Sequence, residues 1–167
     1  VEPAIEQILK NSNNFVAETV FKIAGGQFVK NTGSLENSLK MLNAYFEKIG
    51  LNAEDIKIVD GSGVSKNNII TADFMSEFLV KKADCENFVN SLPTSGEGTL
   101  KSRMLYFKDN LRAKTGTLAD VSAIAGYITS RSGKTYAFDI MINDPKSKIT
   151  DKKSLEEYIL RDIYTSY

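Results

Sequence analysis

The chain has 167 residues, of which 42% are hydrophobic and 25% charged, proportions typical of one globular domain with a substantial core. Acidic and basic side chains balance at 21 each, so no net charge favours nucleic acid or an anionic membrane. The sequence has no histidine and a single cysteine, Cys85, which excludes a Ser-His-Asp or Cys-His site, histidine-based metal sites and an intrachain disulfide. No apolar run approaches the ~18 residues of a membrane-spanning helix.

Apolar residues at helical spacing predict six helices. Gly25-Gly26 is expected to end the second helix, whereas Ser34 and Thr71 are expected to cap the third and fourth. The predicted helices run over residues 1–10, about 15–24, 34–50, from Thr71 onward, about 85–91 and from Asp151 onward. The last helix is expected to bury the side that carries Leu155, Tyr158, Ile159 and Ile163.

Runs rich in β-branched and aromatic residues predict strands, most of them in the last third of the chain. One strand surrounds Lys114, and two more are expected at Val121–Thr129 and Thr135–Ile142, joined by a hairpin at 130–134. A short apolar strand is also expected at Ile56–Val59. Helices followed by antiparallel strands indicate the α+β class.

A polar break, Asn11-Ser12-Asn13-Asn14, separates the first two helices. Ser12 or Asn13 is suited to cap the second helix, because both side chains can accept a hydrogen bond from its first turn. The functional alternative is a Ser-x-Asn motif, in which Ser12 and Asn14 present a hydroxyl and a carboxamide together from a short loop.

Two loops and the cysteine carry further predictions. Asp60-Gly61-Ser62-Gly63 predicts a tight turn in which Asp60 and Ser62 hydrogen-bond the local backbone, since its spacing fits neither a Walker loop nor a dinucleotide fingerprint. The Pro/Gly/Ser-rich loop at 92–100 is expected to border a site. Cys85 lies in an apolar helical pattern and is expected to be a buried structural thiol.

The most informative stretch is Arg112-Ala113-Lys114-Thr115-Gly116-Thr117-Leu118. It predicts a strand that carries a lysine and two threonine hydroxyls along one edge, and Gly116 leaves room for a ligand backbone against the strand. Lys-Thr-Gly is one of the three signatures of penicillin-binding proteins and serine β-lactamases, although the same tripeptide also occurs in ordinary turns.

Three stretches, taken in order, resemble the penicillin-binding D-alanyl-D-alanine carboxypeptidases of the low-molecular-mass class C family. Residues 9–18 resemble the Ser-x-Asn helix junction, residues 60–65 the Asp-Gly-Ser-Gly turn, and residues 91–100 with 112–127 the run through the Lys-Thr-Gly strand. The resemblance covers nearly the whole chain and implies a β-lactamase/transpeptidase-like fold, with an antiparallel sheet of at least three strands, a flanking C-terminal helix and a helical subdomain. Within this C-terminal portion of one domain, residues 1–110 would be mainly helical and 111–167 would form the sheet and closing helix.

The resemblance also implies acyl transfer, in which a serine attacks the D-Ala-D-Ala bond of a peptidoglycan stem peptide and β-lactams mimic that dipeptide. It implies catalytic roles for Ser12, Asn14 and Lys114. The residues it implies at the substrate are Thr115, Gly116, Thr117 and Leu118, with Asp60 and Ser62 lining the site. No cofactor or metal is expected.

The sequence departs from the family in one respect: no serine is followed three positions later by a lysine, so the family's nucleophile motif Ser-x-x-Lys is missing. We therefore expect the C-terminal part of a longer protein, inactive alone, whose upstream segment supplies the nucleophile. Without that segment a sheet edge would be unpaired unless something covers it, and we expect self-association, a rearranged edge or a second chain in the functional molecule. The expected partners are stem peptides and β-lactams rather than nucleic acid, and the expected location, by resemblance, is outside the cytoplasm, although the sequence has no targeting segment.

Two other functions stay open beside carboxypeptidase or endopeptidase activity. One is a non-catalytic relative that binds peptide or cell-wall fragments. The other, less favoured, is a β-lactamase; no glutamate occupies an obvious water-activating motif, and Glu97 in the Gly-rich loop is the residue to inspect.

Overall fold

The computed structural model describes residues 2–167, so Val1 of the first predicted helix lies outside the described residues. The chain divides into two compact units, of which one ends at Glu77 and the other is Phe78–Tyr167. Among residues 2–167, no helix combines the length and the apolar character that crossing a membrane requires. The helices are α1 (Glu2–Leu9), α2 (Asn14–Val29), α3 (Leu35–Lys48), α4 (Ala72–Lys82), α5 (Glu86–Ser91) and α6 (Ile149–Ser166), with short 3₁₀ helices at Gly98–Leu100 and Leu105–Asn110; the strands are β1 (Leu111–Thr117), β2 (Val121–Thr129) and β3 (Thr135–Asn143).

The second helix is longer than predicted, because Gly25-Gly26 does not end it. α2 continues to Val29 and is closed by Lys30 in the left-handed conformation, with φ 55°. Both glycines are buried, and a Cβ on Gly25 would lie 2.4 Å from the backbone nitrogen of Ser38 on α3. The missing side chains let two helices approach closely instead of breaking one of them.

Three helix N-termini are capped as the sequence predicts. The side chains of Asn13, Ser34 and Thr71 each accept a hydrogen bond from the backbone N–H three residues later, at 3.1, 3.2 and 3.1 Å. For α2 the alternatives were Ser12 and Asn13, and the cap is Asn13. Each bond satisfies a donor that has no partner within its helix.

The predicted strand at Ile56–Val59 is wrong. This segment pairs only through an isolated antiparallel bridge between Lys57 and Ile69, with N–H···O distances of 2.9 and 2.7 Å. The ladder does not continue, because the next outward donor, the N–H of Val59, is bonded to the side chain of Asn68 at 2.8 Å. A side-chain acceptor has replaced the backbone partner.

The sheet in the second unit has the predicted strands. β1, β2 and β3 are antiparallel and lie in sequence order, and β2 has the predicted bounds while β3 is one residue longer. Lys114 is paired with Ala125, which in turn is paired with Asp139. α6 packs against the sheet and completes a core that consists of Leu100, Met104, Phe107, Leu111, Ala113, Ile124, Ile128, Phe138 and Leu160.

The prediction for the buried side of α6 is wrong for three of its four residues. Ile163 packs against the core as expected, but the fully buried positions are Lys152, Glu156 and Leu160. Leu155, Tyr158 and Ile159 are 48%, 68% and 37% exposed.

Polar partners inside the second unit explain why α6 buries charged residues rather than the side that was predicted. The Glu156 carboxylate accepts hydrogen bonds from the Ser122 hydroxyl at 2.6 Å and from the Arg103 guanidinium at 2.7 Å. The ammonium of Lys152 donates to backbone carbonyls of the turns that follow β1 and β3, at 2.8 and 2.5 Å. Buried charges with such partners avoid most of the desolvation cost that otherwise keeps them at the surface.

Cys85 is exposed, which contradicts the predicted buried thiol. It occupies the N-cap position of α5, in the turn that follows α4. The helical pattern does not predict the burial of Cys85, because Cys85 lies just outside the helix.

Candidate active site

Lys114 lies in the middle of β1, whose side chains alternate between the two faces of the sheet. Ala113 and Thr115 are buried on the face that carries the core, while Lys114 is half-buried on the other. Lys114 and Gly116 therefore share one face, and Thr115 and Thr117 share the opposite one. The lysine and the two threonine hydroxyls are therefore carried by the same strand but project from opposite faces of the sheet.

The ammonium of Lys114 is held next to its own strand. Its Nζ donates a hydrogen bond to the carbonyl of Thr115 at 2.5 Å. Burial lowers the pKa of Lys114, because the charged form loses hydration. A lysine in this state releases a proton more readily than an exposed one, and in its charged form it supplies positive charge beside the carbonyl of Thr115.

Among residues 2–167, the hydrogen bonds that cover the outer edge of β1 come from a neighbouring loop and lie along its first half. The N–H of Ala113 donates to the carbonyl of Pro93 at 3.0 Å, and the hydroxyl of Thr94 donates to the carbonyl of Leu111 at 2.8 Å. N–H groups alternate in direction along a strand, so the N–H of Thr117 points outward like that of Ala113. The end of β1 thus offers main-chain groups to an extended peptide.

Two glycines in the sheet differ sharply in their surroundings. A Cβ on Gly116 would meet only the Cβ of Ala123, at an ordinary 3.8 Å, and the residue is exposed. A Cβ on Gly126 would lie 2.1 Å from the carbonyl oxygen of Arg112. Gly126 is therefore required by the sheet itself, whereas Gly116 leaves open space on the Lys114 face.

The remaining residues of the Lys-Thr-Gly stretch are bonded within the unit. The Thr115 hydroxyl donates to the hydroxyl of Thr99 at 2.7 Å. Leu118 lies beyond the end of β1, where its N–H donates to the carbonyl of Val121 at 2.9 Å and closes the turn to β2. No sequence pattern indicated Thr99, although the loop at 92–100 that contains it was expected to border a site.

Glu97, in the same loop, shapes the loop itself. Its carboxylate accepts a hydrogen bond from the N–H of Thr94 at 3.3 Å, and its own N–H donates back to the Thr94 carbonyl at 3.0 Å. This local pairing gives Glu97 a structural role.

In the first unit, the Ser-x-Asn motif forms the start of α2. Ser12 has a φ of 54°, in the left-handed region that non-glycine residues rarely adopt, Asn13 is the cap, and Asn14 is the first helical residue. The Asn14 side chain is exposed at the helix N-terminus. A left-handed backbone at a serine costs of order 1–3 kcal/mol. Lys30, which closes α2, adopts the same conformation, so the strain by itself does not assign a role to Ser12.

The Asp60 carboxylate organises the predicted tight turn. It accepts hydrogen bonds from the N–H and hydroxyl of Ser62 and the N–H of Gly63 on one oxygen, and from the N–H of Ser65 and the amide of Asn68 on the other, at 2.5–3.1 Å. Burial alone would raise the pKa of Asp60, but these bonds outweigh burial and lower it. The carboxylate is thus committed to its own turn.

This turn is attached to α2 one helical turn beyond the Ser-x-Asn motif. The N–H of Gly61 donates to Glu18 at 2.6 Å, and a Cβ on Gly61 would lie 2.5 Å from the Cβ of Phe21. Lys22, 2.9 Å from Glu18, lowers the pKa of that carboxyl through a hydrogen bond. The predicted site residues thus form two groups, one on each unit: Ser12, Asn14, Asp60 and Ser62 on the first, and Lys114, Thr115, Gly116, Thr117 and Leu118 on the second.

The fold matches solved structures of the β-lactamase/transpeptidase class. Penicillin-binding protein 4 (dacB) from Haemophilus influenzae superposes with a TM-score of 0.87 at 24% identity, over 98% of this chain and 39% of that one. A predatory endopeptidase from Bdellovibrio bacteriovorus, solved acylated by penicillin G, superposes with a TM-score of 0.71 at 17% identity, over 97% and 44%. The expected fold, incomplete relative to the full domain, is confirmed.

Sequence comparison gives the family. The D-Ala-D-Ala carboxypeptidase 3 (S13) family matches residues 2–160, and the chain belongs to this family of penicillin-binding carboxypeptidases. A D-alanyl-D-alanine carboxypeptidase from Actinomadura sp. is 32% identical over 81% of this chain and 27% of its own length. The D-alanyl-D-alanine carboxypeptidase DacB of Haemophilus influenzae is 25% identical over 96% and 36%. The chain therefore spans about a third of the length of these curated relatives.

Proposed function

We propose that this chain is the C-terminal catalytic portion of a serine-type D-Ala-D-Ala carboxypeptidase that acts on peptidoglycan outside the cytoplasm and binds β-lactams. The observation that carries the proposal is the geometry of β1, which holds the half-buried Lys114 at its middle and turns the N–H of Thr117 outward at its end. An extended stem peptide adds to such an edge as a further strand. Family membership supports the same reaction.

In this reaction the residues of β1 bind and polarise the substrate. The charge of Lys114, on the face of β1 opposite the two threonine side chains, stabilises the negative charge that develops at the reacting centre. The Thr115 and Thr117 hydroxyls bind that carboxylate, and the Thr117 N–H forms half of the oxyanion hole. Gly116 leaves room for the substrate backbone, and Leu118 closes the turn that fixes the strand end.

The Ser-x-Asn motif contributes proton transfer and amide recognition. The Ser12 hydroxyl passes a proton towards the leaving nitrogen, and the Asn14 carboxamide supplies one donor and one acceptor for the substrate amide or a lysine. Asp60 and Ser62 support these residues through the turn bound to α2.

The attacking serine belongs, in this proposal, to a part of the protein outside the 167 residues. No serine here precedes a lysine by three positions, and the chain matches only about a third of its curated relatives. The complete enzyme forms an acyl-enzyme with the upstream serine, releases the terminal D-Ala, and transfers the acyl group to water.

Intact-mass measurement after incubation with benzylpenicillin tests the proposal. The full-length protein should gain one penicilloyl group, and the 167-residue chain should gain none. In the full-length protein, Lys114→Ala should slow acylation by about 10²–10³-fold, because it removes charge aimed at the reacting centre. Lys134→Ala, in the exposed β2–β3 hairpin, is the matched control and should acylate at the wild-type rate.

Two outcomes would contradict the proposal. An adduct on the isolated chain would place an activated serine within these residues. If the Lys114→Ala variant is acylated as fast as the Lys134→Ala variant, Lys114 does not have the proposed role in acylation.

The missing nucleophile motif favours a second candidate, a non-catalytic relative that binds peptide or cell-wall fragments. A full-length protein that binds a stem peptide in calorimetry, but neither releases D-Ala nor forms a penicillin adduct, would establish that candidate instead.

The outer edge of β3 fits the upstream part of the protein. β3 is the last strand of the sheet formed by residues 111–143, and from its register with β2 the backbone groups of Ala137, Asp139 and Met141 point away from that sheet. We propose that an upstream strand pairs here, and that without it the chain self-associates. A monodisperse monomer with full amide-exchange protection along β3 would contradict this.

A further inference from the structure

The hydroxyl of Thr99 lies directly behind the hydroxyl proposed to bind the substrate carboxylate. Thr115 Oγ1 donates to Thr99 Oγ1 at 2.7 Å, across 16 residues of sequence. Thr115 is only 8% exposed, so this hydroxyl is largely withdrawn from water. A buried hydroxyl depends on such a partner, since leaving it without a hydrogen bond is costly.

Thr99 is held in place by the core and by its own loop. It sits in the middle of the 3₁₀ helix Gly98–Leu100, and the next residue, Leu100, is fully buried in the core. The carbonyl of Leu100 accepts a hydrogen bond from Gly96 at 3.1 Å, and the loop is tied to β1 through Pro93. The Thr99 side chain therefore cannot move far from Thr115 without disturbing buried residues.

A hydroxyl carries one hydrogen and two acceptor sites. While Thr115 donates to Thr99, its hydrogen is not available to an anion. If that hydrogen turns to a carboxylate, the hydroxyl of Thr99 can rotate and donate to a lone pair of the Thr115 oxygen, which keeps the part-buried pair bonded and strengthens the bond to the anion. A residue without a hydroxyl at position 99 cannot make this exchange.

We propose that Thr99 is a positioning residue for recognition of the substrate's terminal carboxylate, acting through the hydroxyl of Thr115. The inference rests on the proposed function, because it requires that Thr115 binds that carboxylate. It assigns to the loop at 92–100 a part in selecting peptides with a free C-terminus.

Thr99→Val tests the inference, because valine keeps the shape of threonine and removes the hydroxyl. In the full-length enzyme, kcat/KM should be measured for a peptide ending in D-Ala-D-Ala and for its C-terminal amide. Thr99→Val should lose about 10-fold on the carboxylate peptide, mainly through KM, and little on the amide, because only the carboxylate needs the charge-assisted bond. Thr99→Ser should restore most of the loss.

Thr135→Val is the matched control. Thr135 forms a similar pair with Thr129, at 2.9 Å, in the hairpin at the other end of the sheet. Thr135→Val should leave kcat/KM unchanged for both the carboxylate peptide and its amide. Equal losses of Thr99→Val on both substrates, or no loss on either, would overturn the inference while the wild-type activity stands. A wild-type full-length enzyme without carboxypeptidase activity would overturn the proposed function and this inference with it.

Discussion

Removal of the Glu156 carboxylate should destabilise the second unit more than any surface change on α6. Glu156 is fully buried, with Arg103 at 2.7 Å and Ser122 at 2.6 Å. Breaking a buried ion pair from one side costs about 3–5 kcal/mol, and an unsatisfied buried hydroxyl costs about 1–3 kcal/mol. Because the Arg103 side chain is 18% exposed, part of its charge regains water, so we expect a total of about 4 kcal/mol for Glu156→Ala.

Urea unfolding at pH 7, followed by circular dichroism, measures this loss as a shift of the midpoint at constant m-value. Glu157→Ala is the control, because Glu157 pairs with Arg161 at the surface of the same helix; it should cost about 0.5 kcal/mol or less. The double variant Arg103→Met/Glu156→Met should recover much of the loss, since it leaves no unpaired charge. A loss below about 1.5 kcal/mol for Glu156→Ala, or an equal loss for Glu157→Ala, would refute the reasoning.

Three further substitutions test the stability of the sheet and the function of β1. Asp139 Oδ2 is buried without a hydrogen-bond partner among residues 2–167, and burial raises the pKa of Asp139 to about 6. The folded state therefore holds a proton that the unfolded state has released. Because this carboxyl is only partly buried and solvent screens it, stability should fall by about 1–2 kcal/mol as pH rises from about 4 to about 7. Asp139→Asn should abolish this slope in denaturant titrations between pH 4 and 8, and an unchanged slope would contradict the reasoning. Gly116→Ala should leave the urea midpoint unchanged but slow penicillin acylation of the full-length protein about 10-fold. Gly126→Ala should cost at least ~2 kcal/mol of stability, because its Cβ would overlap the carbonyl of Arg112. A lower urea midpoint for Gly116→Ala than for Gly126→Ala would contradict the geometry.

The sheet was predictable because its determinants are local. Runs rich in β-branched and aromatic residues, separated by a turn of five residues, define β2, β3 and the hairpin between them, and each strand pairs with its neighbour in sequence. The end of α2 was not predictable, since the close contact of Gly25 with Ser38 depends on tertiary packing. The buried face of α6 was missed for a similar reason, because the partners of Glu156 lie 34 and 53 residues away.

In the candidate site, too, features set by local sequence were predictable and features set by tertiary contacts were not. The ordered motifs pointed to Lys114 and to Ser12 through a family resemblance, and the family is confirmed, while the roles of the individual residues stay predictions. A sequence pattern did not reveal that Thr115 bonds Thr99, because that contact joins a loop to a strand. Nor did it reveal that Ser12 adopts a left-handed backbone, which depends on how α1 ends and α2 begins.

The order of β1, β2 and β3 along the sheet has a consequence for how the protein is made. Neighbouring strands are joined by short turns, so the strand with Lys114 finds its partner through contacts of short sequence separation, which close quickly. During synthesis these three strands leave the ribosome before α6, so the Glu156 carboxylate reaches Arg103 and Ser122 only after all three strands have been made. The strand that carries Lys114 is thus paired early, and α6, which is synthesised later, then fixes the sheet in place.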